Sequence, residues 1–240
     1  MLTRANLEQF TKQSQINPEN VVREYCQHLF LSFLYQQPKS DRLLFKGGTA
    51  LRIVFHSPRY SEDLDFTGIK ITSAEIEELF MNTLVGIEKN GIHVELKEGK
   101  ATSGGYLGVI EFDIYDKKIE IYFEVSLRNS RRIVGIRQLI DNDYIPPYTL
   151  VCLPCDVLVQ GKIEALLDRH KPRDFYDYFF LLSGNYPAAR ESDNLRRVLK
   201  LLNQSKVDFR RELREFLPAS HTMHLRDFKK VLAQKILSFS

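Results

Sequence analysis

The stretch from Phe45 to Phe66 constrains this chain more than any other. It joins an adjacent glycine pair, Gly47-Gly48, to Ser61-Glu62-Asp63-Leu64-Asp65-Phe66, in which one apolar residue separates two aspartates. In an extended segment the side chains at i and i+2 share a face, so Asp63 and Asp65 can converge while Leu64 points inward. Two hard carboxylates held this way suit Mg2+ or Mn2+. A glycine pair at the end of a short strand lets backbone approach a phosphate, and the free N–H groups and dipole of a following helix point at that anion. The combination points to metal-assisted phosphoryl or nucleotidyl chemistry.

The flanking segments read as α/β. Asn17-Pro18-Glu19 starts a helix, with Asn as cap and Pro at the first helical position. Val21, Tyr25, Leu29, Phe33 and Leu34 follow at core-facing spacings, and the helix ends before Pro38. A short strand is predicted over 43–46 and a helix over about 49–55. On that helix Arg52 either reaches an anion near the helix start or makes a salt bridge. In the polar connection, Arg59 reads as a phosphate contact or a solvated loop residue, and His56 as a surface or packing residue.

Thr72-Ser73-Ala74-Glu75 matches a capping box, and Ile76, Leu79, Phe80, Leu84 and Ile87 continue as one helix face up to Gly91. A strand over 92–96 and a glycine connection at Gly104-Gly105 follow. Segments 109–115 and 119–125 alternate apolar and polar residues, predicting a hairpin around Asp116-Lys117. Glu120, Tyr122 and Glu124 share its wetter face. Either glutamate can complete a carboxylate triad with Asp63 and Asp65, and periodicity does not separate them.

Pro146-Pro147 and Leu153-Pro154 mark a boundary near residue 150, dividing the chain into domains 1–150 and 151–240. The second reads as helical. Asp156 can cap a helix carrying Leu158, Ile163, Leu166 and Leu167, with Lys162 and Arg169 about two turns apart on one side. Asp174 and Asp177 stand at i and i+3, forming either one helical edge or a cap plus a surface acid. Further helices are expected over about 188–203, 208–217 and 223–238. Charge divides in a similar way: residues 1–127 hold 14 Lys/Arg against 18 Asp/Glu, net −4, and residues 128–240 hold 20 against 13, net +7. Arg128, Arg131, Arg132 and Arg137 form a basic stretch. An acidic half suits a metal and a basic half a polyanion; the plainer alternative is two solvated surfaces of uneven charge. Cys152 and Cys155 have the spacing of a redox or zinc pair, but no second pair accompanies them, so structural roles are expected. No apolar run approaches membrane-spanning length and the N-terminus lacks a signal-peptide core, so a cytoplasmic protein without a membrane partner is expected.

Three motifs in order carry a resemblance. They are Lys46-Gly47-Gly48-Thr49-Ala50-Leu51-Arg52 with Tyr60–Phe66, then Phe123-Glu124-Val125-Ser126-Leu127-Arg128, then Lys162-Ile163-Glu164-Ala165-Leu166 running on to Arg173-Asp174-Phe175-Tyr176-Asp177. Together they resemble the AbiEii/AbiGii toxin-like nucleotidyltransferases of the polymerase-beta-like superfamily over roughly residues 43–182. The resemblance implies a mixed sheet with flanking helices followed by a C-terminal helical bundle. It assigns metal coordination to Asp63 and Asp65, with Glu124 as the strand acid where aspartate is common in the superfamily. Gly48 and Ser61 fall to the nucleotide, and Gly47 and Arg52 stand beside them as candidate nucleotide-binding residues. Lys162 would neutralise phosphate, and Asp174 belongs to the C-terminal catalytic motif. The implied activity is Mg2+- or Mn2+-dependent transfer of a nucleoside monophosphate from an NTP to RNA, in particular a tRNA 3′ end, by the toxin of a type IV toxin–antitoxin system with a separately encoded antitoxin protein. Nucleotidylation of a small molecule or a protein, and an inactive RNA- or protein-binding module, are the alternatives.

Overall fold

Antiparallel pairing of two short strands brings the glycine pair and the aspartates together. In the computed structural model, which describes residues 3–127, 133–222 and 225–239, the chain divides into two units: 1–13, 17–56 and 60–154 in the first, and 14–16, 57–59 and 155–240 in the second. Arg128, Arg131 and Arg132 of the basic stretch lie outside the described residues.

The first unit opens with helix α1 (Arg4–Ser14) and α2 (Pro18–Leu34), whose Asn17 cap accepts from the Glu19 N–H at 3.0 Å. Strand β1 (Leu43–Lys46) leads into the seven-residue helix α3 (Gly47–Ile53), then β2 (Leu64–Gly68) and helix α4 (Ser73–Glu88). The Thr72/Glu75 capping box that starts α4 is formed, with both reciprocal bonds present. Strands β3 (His93–Thr102), β4 (Gly105–Ile114), β5 (Lys117–Leu127), β6 (Ile136–Ile140) and β7 (Tyr148–Cys152) complete one mixed sheet of order β3-β4-β5-β2-β1-β7-β6. β2 runs parallel to β5 and β1 parallel to β7, whereas β1 and β2 are antiparallel.

The hairpin turns at Tyr115-Asp116, both at positive φ (53° and 61°), one residue earlier than the sequence suggests. Two left-handed residues give the two-residue turn whose twist matches its strands. One face of the sheet is dry. Phe30, Phe45, Phe66, Phe80 and Phe123 are fully buried there, with the Phe80 and Phe123 rings 4.2 Å apart and edge-on. Each such side chain contributes roughly 2–3 kcal/mol by leaving water. Along β5, Ile119, Ile121, Phe123 and Val125 enter this core while Glu120, Tyr122 and Glu124 stand on the open face.

The second unit is helical: α5 (Cys155–Arg169), α6 (Pro172–Ser183), α7 (Ser192–Gln204), α8 (Phe209–Leu213), α9 (Ala219–Thr222) and α10 (Phe228–Leu237). Gly184 ends α6, and an aromatic cluster of Phe175, Tyr176, Phe179, Phe209 and Phe228 fills the bundle. Among the described residues no helix is long and apolar enough to cross a membrane. Cys26 and Cys152 are buried and Cys155 is half-buried.

Candidate active site

The strand register writes the site across the open face of the first unit. Lys46 pairs with Asp65, Asp65 with Glu124, Glu124 with Leu107 and Leu107 with Lys100, giving one row over β1, β2, β5, β4 and β3. Leu64 pairs with Phe123, so Asp63, one step earlier, falls opposite Tyr122. Tyr122 pairs with Val109 and Val109 with Glu98, which makes a second row two residues along. Side chains of the two rows line a cleft of about 360 Å³, among them Asp63, Asp65 and Glu124.

Local packing holds the carboxylates. Gly47 has φ +85°, and a Cβ there would overlap Oδ2 of Asp65. The glycine is therefore required twice, once by its backbone and once by the aspartate lying against it. The Thr49 hydroxyl donates to the Asp63 carbonyl. Gln27 Nε2 donates to the carbonyls of Ser61 and Glu62, 3.0 Å each, which fixes the approach to β2. Lys46 Nζ donates to Ser126 Oγ at 2.9 Å, two residues beyond Glu124.

Glu120 is separated from this row. It pairs with Glu111 and lines a neighbouring cleft of about 370 Å³, to which Asp63 and Tyr122 also contribute. Arg52 makes the salt bridge: its Nε and Nη2 donate to Glu24 at 2.6 and 3.2 Å, and its guanidinium lies 3.9 Å over the Tyr60 ring. Among the described residues no three His, Cys, Asp or Glu side chains are gathered as a ready-made metal cage. His56 is exposed.

The second unit holds a buried ionic network. Arg59, only 4% exposed, donates from Nε and Nη2 to Asp177 at 2.7 and 3.0 Å, and Lys162 Nζ donates to the same carboxylate at 2.8 Å. One helical turn earlier Asp174 accepts from Arg169 Nη2 at 2.7 Å, while its buried Oδ2 has no hydrogen-bond partner among the described residues. Burial pushes the Asp177 carboxyl up, but the paired Arg59 and Lys162 outweigh it and hold it at about 2. Neither aspartate is a surface acid, and Arg59 is not a solvated loop residue. An isolated arginine in a polar loop carries no sign of a partner 118 residues away.

Sequence reasoning passed over Lys46 as a site residue, although it begins the first motif. Its place depends on the β1–β2 pairing, for which no local signal exists.

The family model described as "Nucleotidyl transferase AbiEii toxin, Type IV TA system" matches residues 29–237. The chain belongs to the AbiEii family. The AbiEii chain is also similar in fold to two solved structures from Helicobacter pylori. One is JHP933, with TM-score 0.65 and 18% identity over 93% of each chain. The other, titled a putative nucleotidyltransferase, has TM-score 0.57 and 17% identity over 94% of this chain and 99% of its own. No curated protein matches the AbiEii chain.

Proposed function

We propose that this AbiEii protein transfers a nucleoside monophosphate from an NTP to the 3′ hydroxyl of an RNA, with a tRNA 3′ end as the favoured acceptor, and that this modification is its action as a type IV toxin. The observation that carries the reading is the row Lys46–Asp65–Glu124 with Asp63 beside it, all on one open face against a glycine turn.

The donor set is all-oxygen, and a carboxylate pair completed by substrate phosphates is the usual way a protein holds Mg2+. Asp63 and Asp65 would therefore hold a divalent cation that arrives with the nucleotide, with Glu124 closing in as third ligand once the substrate phosphates are present. When bound, the cation would supply positive charge to the phosphoryl oxygens and the leaving pyrophosphate.

The chain's own groups do the rest. Gly47 and Gly48 let backbone N–H groups approach the triphosphate, Ser61 bounds it, and Lys46 adds a fixed cation beside Asp65. The acceptor hydroxyl loses its proton to solvent and attacks the α-phosphorus, and the bond to pyrophosphate breaks; Glu124, by holding the cation with the two aspartates, would lower that hydroxyl's pKa, so no histidine base is needed. Lys162 and Asp174 take the roles implied by family resemblance: phosphate neutralisation and membership of the catalytic motif. Arg52, paired with Glu24 and lying over Tyr60, is a proposed nucleotide contact held in place by those partners. The net +7 of residues 128–240 supports an RNA partner.

The test is transfer from each of the four labelled NTPs to total RNA, with Mg2+ and with chelator, beside the Asp63→Asn protein. Metal-dependent labelling of a discrete small-RNA band, absent in the variant, is expected. Label appearing only in the small-molecule or protein fraction would overturn the RNA acceptor.

A further inference from the structure

Three apolar side chains stand on the open face beside the carboxylates. Tyr122 is 53% exposed and Leu107 36%, with Val109 half-buried between them. Val109 is the cross-strand partner of Tyr122, and Leu107 that of Glu124. All three line the same cleft as Asp63, Asp65 and Glu124. An exposed aromatic ring flanked by aliphatic carbons is a stacking surface of the kind that holds a nucleobase without reading its edge.

We propose that Tyr122, with Val109 and Leu107, forms the subsite for the terminal nucleoside of the acceptor strand, and that Tyr122 stacks on its base. The inference deepens the RNA-transfer reading above and rests on it.

Two observations choose the acceptor over the incoming nucleotide. The first is strand order. Counting from Asp65 on β2, the glycine turn follows β1 on one side, whereas Tyr122, Val109 and Leu107 lie on β5 and β4 on the other. Phosphoryl transfer needs the attacking and leaving oxygens roughly in line. A triphosphate at the glycine turn and a nucleoside on the apolar surface would approach Asp65 from opposite sides, as that geometry requires.

The second is charge. The apolar surface is framed by Asp63, Glu124 and Glu98, and the nearby Lys100 ammonium is bonded to Glu98 at 2.8 Å. Lys100 is the only cation lining the cleft among the described residues and is already paired, so the apolar surface itself offers a polyphosphate no partner. A neutral base and sugar hydroxyls need none, and a 3′-terminal nucleoside presents those groups. Tyr122 is thus a binding residue for the acceptor and, because stacking tolerates any base, favours an unpaired end over a particular letter.

The experiment compares wild type, Tyr122→Ala and Tyr122→Phe in two assays. One measures KM for acceptor RNA and KM for the NTP separately. The other measures binding of a 5′-labelled, single-stranded trinucleotide with a free 3′ hydroxyl by fluorescence anisotropy. Tyr122→Ala is expected to raise the acceptor KM and weaken trinucleotide binding by roughly 5- to 150-fold, the range of a lost stacking contact, with the NTP KM unchanged. Tyr122→Phe keeps the ring and is expected to recover most of that affinity. A rise in NTP KM instead, or a Phe variant as impaired as Ala, would overturn the acceptor subsite. RNA transfer by all three proteins with equal acceptor KM would remove the subsite and leave the RNA reading standing. Tyr122-dependent trinucleotide binding without any RNA transfer would do the reverse. Neither binding nor transfer by wild type would remove both.

Discussion

The Asp65 carboxylate occupies the space that a side chain at Gly47 would need. Gly47→Ala would add a methyl against that carboxylate and force a non-glycine residue to φ +85°. We expect a stability loss of about 1–3 kcal/mol from the backbone alone and a fall in transfer on the order of 100-fold from displacement of Asp65. Urea melts and initial rates measured side by side check both; an alanine variant with unaltered rate would separate Gly47 from the chemistry.

Charge removal without change of shape should distinguish the carboxylates. Asp63→Asn and Asp65→Asn are expected to abolish transfer while leaving the circular dichroism spectrum and melting curve close to wild type. Glu124→Gln should lower transfer by at least about 100-fold if its carboxylate serves the reaction, whereas Glu120→Gln, opposite Glu111 in the neighbouring cleft, should retain it. If the two glutamate variants behaved in the opposite way, the third acid would be Glu120.

Within the second unit, Asp177 carries both Arg59 and Lys162. Truncating Asp177 to alanine leaves the buried Arg59 charge without this carboxylate, which costs about 3–5 kcal/mol, whereas Arg59→Ala leaves Asp177 paired with Lys162 and should cost less. The carboxyl is held at about 2 when folded and titrates near 3.9 when unfolded. Its stabilising contribution is therefore complete above about pH 4 and lost as pH falls through 2. Equilibrium unfolding of Asp177→Ala between pH 2 and 5 should show a shallower acid dependence than wild type.

His28 gives a second pH dependence, nearer neutral pH, in the first unit. Its Nδ1 is 2.9 Å from the Tyr148 hydroxyl, with Glu24, Arg52 and Tyr144 around it. Burial pushes the imidazole down to about 4, Glu24 opposes this and Arg52 adds to it. The unfolded chain binds the proton near pH 6.5, so stability is full above 6.5 and declines by on the order of 3 kcal/mol as pH falls to 4. In His28→Gln this slope should disappear from a pH series of urea midpoints, and its persistence would assign the slope to other groups.

The parts of the fold that depend on neighbours in sequence were legible without coordinates. Asn17-Pro18 and the Thr72/Glu75 capping box act within a few residues and are formed as expected; the glycine pair follows β1, but α3 spans Gly47–Ile53 rather than about 49–55, and Asp65 lies in β2 with Asp63 just before it. Long-range pairing was not legible. The alternation of β5 treats Glu120 and Glu124 alike, and only the parallel register with β2 sets Glu124 beside Asp65. The expected strand stops at residue 96, whereas β3 runs on through Lys97, Glu98 and Lys100 to Thr102. They belong to an edge strand, where charge protects an unpaired backbone edge. β6 and β7 were also missed, since the prolines beside them read as a boundary, whereas β7 is the parallel neighbour of β1.

The helical unit takes Ser57–Arg59 from between α3 and β2. Its ionic network is thus written in two distant parts of the chain, and no single cut yields it whole. A fragment starting at Cys155 would bury Asp177 with Lys162 but without Arg59. Inheritance follows the same logic: C-terminal helices moved alone into a related protein would leave the buried carboxylate at position 177 dependent on the residue the recipient carries at position 59.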